Sequence, residues 1–148
     1  MPKTVSVKVG SGLIMYSFMN DYSEGAHPRV LELLMKYNFE QNSGYGEDIH
    51  SAKAKEYIKE LLQREDVDIH FIPGGTHTNL LVISSFLRPY QCVISADTGH
   101  INVHETGAIE ATGHKVVTAP SKDGKLTPDA IQAVLDYHTN EHMVQPKM

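Results

Sequence analysis

The sequence predicts an α/β fold in which a mostly parallel sheet carries flanking helices. Two observations lead there. From His27 onward, segments with the 3.6-residue period of a helix alternate with short β-branched runs. Two polar, glycine-bearing motifs, "PGGTHTN" and "DTGHINVHE", each follow such a run directly. In open parallel sheets, ligands bind beyond the carboxyl ends of the strands. Both motifs are therefore expected at the same edge.

Each element has its own signal. Residues 1–14 give no clear helical or strand period, so 1–15 reads as a leader or extension, with Met15 able to serve as an internal start. "HPRVLELLMKYNFE" sets Pro28 in a first helical turn, followed by Val30, Leu31, Leu33, Leu34 and Tyr37. "NSGYGED" is a glycine-bearing loop. "IHSAKAKEYIKELLQRE" is helical, with Ala52, Ile58, Leu61 and Leu62 on one face. "DVDIHFI" reads as a strand, and "GGTHTNLLVISSFL" as a tight turn entering a helix. "QCVISAD" is a second strand, "NVHETGAIEATG" a helix interrupted by Gly107, and "HKVVTAP" a third strand. "DGKL" is a turn. "TPDAIQAVLDYHT" has Thr127 as N-cap and Pro128 at the first helical position. "MVQPKM" opens a fourth strand, where the chain reads as truncated.

Composition narrows the function classes. The 148 residues are 41% hydrophobic and 21% charged, which fits a folded domain and not a disordered one. The net charge of −5 argues against a nucleic-acid partner. "LLVISSFL" is far too short to span a bilayer, and the N-terminus lacks the pattern of a signal peptide. Cys92 is the only cysteine, so no internal disulfide forms. A cytoplasmic protein without a membrane partner is expected.

Two motifs carry candidate chemistry. In Gly74–Asn79, two glycines let backbone amides approach a ligand, and Thr76 adds a hydroxyl at a helix N-terminus. That suits a phosphate; it equally suits a plain β–α turn capped by Thr76. The spacing is neither a dinucleotide fingerprint nor a Walker A loop. His100 and His104 lie one helical turn apart, with Glu105 behind. A metal site, an imidazole platform with proton carriers, and a polar helix cap all remain open. The zinc-protease pattern fails, because Ile101 stands where its glutamate belongs. Asn20–Gly25 and Gly44–Asp48 are substrate or subunit-contact loops, or solvated surface.

Taken in order, "MNDYSEGAHPRVLELL", "GYGED", "GGTHTNLLVI", "DTGHINVHETGAIEATGHKV" and "DGKLTPDAI" closely resemble the N-terminal part of the threonine aldolase and β-eliminating lyase family. The resemblance runs from about Tyr16 to the end of the chain. It implies the aspartate-aminotransferase type of pyridoxal-phosphate fold (fold type I), with residues 16–148 as the N-terminal part of the large, cofactor-binding domain. It implies pyridoxal 5'-phosphate as cofactor, a small amino-acid substrate, and a homodimer or homotetramer. Cleavage of threonine or a related β-hydroxy amino acid to glycine and an aldehyde is the implied reaction. Another β-elimination or aminotransferase-like activity, or a non-catalytic assembly role, are the alternatives. Gly75 and Thr76 match the pair that holds the cofactor phosphate. His100 matches the histidine that stacks on the pyridine ring and helps catalysis, and no metal is implied. Asn20, Asp21, Tyr45 and Glu105 match positions near the substrate. Three residues depart from the family pattern: His77 replaces a common glutamine, Asn20 the usual serine, and His104 is not general. The family's cofactor-holding lysine would lie beyond residue 148, so no catalytic lysine is assigned.

Overall fold

The computed structural model describes the chain except residues 1–3, 10, 11, 18, 19 and 21, and the side chains of residues 4–9 and 12–16. Asp21 thus lies outside the described residues. The chain divides into two units, Met1–Glu65 and Asp66–Met148.

In the first unit, β1 (Thr4–Val9) and β2 (Gly12–Ser17) form an antiparallel hairpin, with Thr4 opposite Ser17 and Val9 opposite Gly12. Val5, Val7 and Val9 alternate with Ser6 and Lys8, the period of a strand, where no clear period was expected. β2 runs through position 15, the expected end of a leader. Helix α1 (Pro28–Tyr37) starts at His27, whose Nδ1 accepts from the Arg29 amide at 3.2 Å. Pro28 fits the first turn, where its missing N–H is not needed. Helix α2 (Ile49–Leu62) is capped by Asp48, which accepts from the Ser51 amide at 2.8 Å and its hydroxyl at 2.6 Å. Neither helix has a buried residue.

The second unit holds the sheet. Its elements are α3 (Gly75–Phe86), β3 (Gln91–Ala96), α4 (His100–Val103), β4 (Lys115–Ala119), α5 (Pro128–Tyr137) and β5 (Gln145–Pro146). The strand order is β4-β3-β5, and both pairings are parallel. This is the expected α/β arrangement with a small parallel sheet. The core is Ile83, Leu87, Val93 and Ile109, with Ile101 and Val116 packed against it. Burying each such side chain is worth about 1.5–3 kcal/mol. Thr127 caps α5 by accepting from the Ala130 amide at 3.2 Å. The "DGKL" turn closes as expected: Lys122 and Lys125 exchange backbone hydrogen bonds across Asp123 (φ 53°) and Gly124 (φ 72°). Two left-handed residues are what a type I′ turn requires.

Two expectations need correction. "DVDIHFI", residues 66–72, is not a strand. A strand exists only as a paired ladder, and residues 66–72 pair with none of the described strands. "NVHETGAIEATG" is not one interrupted helix. It divides into the end of α4 and a 3₁₀ turn at Glu110–Thr112, because Thr106 (φ 55°) and Gly107 (φ 75°) both leave the helical region.

Among the described residues, no helix is long and apolar enough to cross a membrane. Many large apolar side chains face outward, including Leu34 (61% exposed), Met35 (77%) and Leu61 (83%). Such surface drives association. The 148-residue chain is expected to sediment as an oligomer or aggregate at micromolar concentration. A single sharp monomer boundary would contradict this.

Candidate functional site

The site is built on the end of the sheet where β3 finishes. Helix α3 precedes β3 and begins at Gly74, whose φ of 84° favours glycine. No side chain caps this helix. The first bonds back to Gly74 come from Thr78, through its amide (3.1 Å) and its hydroxyl (3.0 Å). The amides of the first turn therefore remain available to an outside acceptor, with the positive end of the helix dipole behind them. A Cβ placed on Gly74 or Gly75 would meet nothing within 4 Å, so the space before the loop is open. An anionic group such as a phosphate fits there, and Thr76 sits half-buried beside it.

After β3 the chain turns through Asp97, Thr98 and Gly99 into α4. Gly99 has no room for a side chain: a Cβ would overlap the Ser95 hydroxyl and lie 3.0 Å from the Ala96 carbonyl oxygen. This tight turn delivers His100 at the start of α4. Its side chain is 65% exposed, whereas that of Glu105 is fully buried. His100 Nδ1 lies 2.8 Å from Glu105 Oε1. The same oxygen accepts from Asn79 Nδ2 at 2.6 Å. Asn79 is one helical turn beyond Gly75 on α3, a rise of about 6 Å. Glu105 thus ties His100 to the glycine end of α3. The two motifs are joined by this bond, although the first of them does not follow a strand.

His104 sits beside His100, their ring centroids 5.5 Å apart and tilted by 55°. Among the described residues no three His, Cys, Asp or Glu side chains are arranged to hold a metal ion. Asn20 and Tyr45 belong to the first unit. Asn20 Oδ1 accepts from the Tyr22 amide (3.1 Å) and the Ser23 hydroxyl (2.6 Å), a self-contained turn. Tyr45 is fully exposed in a left-handed conformation (φ 60°).

Two contributors were not singled out from sequence. Asn79 is one; its only signal is a polar side chain opening the apolar run "NLLVI". Asp97 is the other. Its Oδ1 accepts from the Ser121 hydroxyl and from the Ser121 (3.2 Å) and Thr98 (3.0 Å) amides, pinning the loop after β4 to the end of β3. The Ser121 hydroxyl, followed by the two amides, holds the Asp97 carboxyl below its ordinary value of 3.8. A carboxyl lowered on folding stabilises the native state above its unfolded value. That contribution disappears as pH falls through the lower, folded value. Asp97→Asn should therefore flatten the fall in stability below about pH 4, measured as denaturation midpoint against pH. Parallel curves for the two proteins would refute this.

Comparison with known proteins matches residues 21–148 to the model of the Beta-eliminating lyase family. A low specificity L-threonine aldolase from Pseudomonas sp. is 32% identical over 133 residues, covering 88% of this chain. One from Pseudomonas aeruginosa is 29% identical over the same length. A solved structure of Leishmania major threonine aldolase superposes with a TM-score of 0.85 at 57% identity over 88% of this chain. The chain spans 38% of the length of each of these relatives.

Proposed function

The chain belongs to the beta-eliminating lyase family, and from that premise we propose that it supplies the phosphate-binding loop and ring platform of a pyridoxal-phosphate-dependent lyase. The proposed reaction is cleavage of L-threonine or a related β-hydroxy amino acid to glycine and an aldehyde. Residues 16–148 act as the N-terminal part of the cofactor-binding domain. The protein works in the cytoplasm as a homodimer or homotetramer, which would cover apolar side chains such as Leu34 and Leu61.

The observation that carries this reading is the chain of hydrogen bonds from Asn79 through Glu105 to His100, beside the uncapped start of α3. Gly75 and Thr76 receive the cofactor phosphate through first-turn amides and the Thr76 hydroxyl. His100 offers an exposed ring face to the pyridine. When bound, pyridoxal phosphate supplies the electron sink for the pair released at the substrate Cα. A proton on Nδ1, donated to Glu105 Oε1 2.8 Å away, would leave the lone pair of His100 on Nε2. Nε2 is then the atom that takes a proton from the substrate hydroxyl, directly or through water. Asn20, Asp21 and Tyr45 are proposed to contribute to the substrate side.

Product analysis tests this. Purified active protein given L-threonine should release glycine and acetaldehyde in equal amounts. 2-Oxobutanoate and ammonia, with no glycine, would favour the β-elimination alternative instead.

A further inference from the structure

We infer that Asn79 and Glu105 are positioning residues that set the tautomer of His100, a proposal that rests on the reading of His100 given above. Glu105 Oε1 receives two hydrogen bonds, from Asn79 Nδ2 at 2.6 Å and from His100 Nδ1 at 2.8 Å. Its second oxygen, Oε2, is buried and has no hydrogen-bond partner among the described residues. A carboxylate half satisfied in a buried place is a poor stabiliser of a fold. An apolar side chain of similar size would serve packing better. The arrangement makes sense as orientation: one oxygen is aimed, and the group it aims at is the only exposed member of the set.

The chemistry assigns each role. An ionised carboxylate only accepts, so the nitrogen facing it must carry the proton. Asn79 Nδ2 only donates. Asn79 therefore ensures that whatever oxygen lies at this point presents an acceptor to His100. Free imidazole carries its proton mainly on Nε2; the pair reverses that preference and leaves Nε2 open toward solvent. Neither residue touches the reacting atoms.

The test reads the tautomer directly. The chain is labelled with ¹⁵N-histidine and examined by magic-angle-spinning NMR, which tolerates any oligomeric size. The His100 signals are those lost in His100→Phe. At a pH where the ring is neutral, Nδ1 should appear protonated and Nε2 unprotonated. Glu105→Leu should shift the ring to a mixture dominated by Nε2–H. Glu105→Gln should keep the native tautomer, because Asn79 holds the amide oxygen in place. Asn79→Leu combined with Glu105→Gln should lose it, because the amide can then flip. In this double variant Glu105→Gln keeps the size of the buried side chain and Asn79→Leu keeps the branch at Cγ, so it decides the matter if Glu105→Leu does not fold.

A native-like tautomer in that double variant, or Nε2–H in the unaltered protein, would overturn the proposal. The outcome is separable from the catalytic reading. If the tautomer changes as expected while kcat for threonine stays constant in the active protein, the positioning pair stands and the proton role of His100 falls. If kcat drops at least tenfold with KM unchanged, and adding Glu105→Leu to His100→Phe causes no further loss, both stand.

Discussion

Replacing His100 by Phe in the active protein should lower kcat for threonine cleavage by about 10²- to 10⁴-fold, the usual range for removing a positioned acid or base. Phenylalanine keeps a flat face for the cofactor ring and removes both nitrogens. Cofactor content, read from its bound absorbance, should therefore stay close to that of the unaltered protein. His100→Ala removes the face as well, so it should lower both cofactor affinity and turnover. The contrast between the two variants separates stacking from proton handling. The exposure of the His100 side chain, 65%, keeps the fold out of the result, because little packing is lost in either case. Unchanged turnover in His100→Phe would take His100 off the proton path and leave it as a platform alone.

Much of this frame was legible because its signals are local. Thr127 and Pro128 begin α5 by chemistry that two residues contain. Asp123-Gly124 encodes its turn, and β3 and β4 are apolar runs bounded by turn residues. The motif after β3 sits where a general rule about parallel sheets puts it. What failed was non-local. Residues 66–72 have the composition of a strand, but pairing depends on a neighbour that the segment itself does not specify. The β1–β2 hairpin was overlooked although Val5, Val7 and Val9 alternate cleanly. In the site, position was readable and orientation was not. Glu105 adjoins a histidine in sequence, a position that carries no signal of burial. Its burial depends on α3, whose Asn79 is 26 residues away.

Ile109→Ala should be the most damaging single change to the second unit. Ile109 is completely buried and packs with Ile83, Leu87 and Val93, linking the segment after α4 to α3 and β3. Truncating a buried isoleucine to alanine costs about 2–5 kcal/mol. Whole domains are stable by only about 5–15 kcal/mol, so this is a large share of the total. The effect should also reach the site. The Ala108 amide bonds the Glu105 carbonyl at 3.0 Å, and the Ala111 amide bonds Gly107 at 3.0 Å, so Ile109 anchors the short turn that presents Glu105. With the anchor gone, Glu105 loses its fixed direction and His100 its partner. Hydrogen exchange should show faster exchange at Ala108 and Ala111 along with a lower denaturation midpoint. Ile109→Val, which removes one methylene, should cost only about 0.5–1.5 kcal/mol and leave the turn protected. A midpoint for Ile109→Ala within error of the unaltered protein would mean that the apolar cluster does not hold this segment, and the support it is argued to give His100 would have to come from elsewhere.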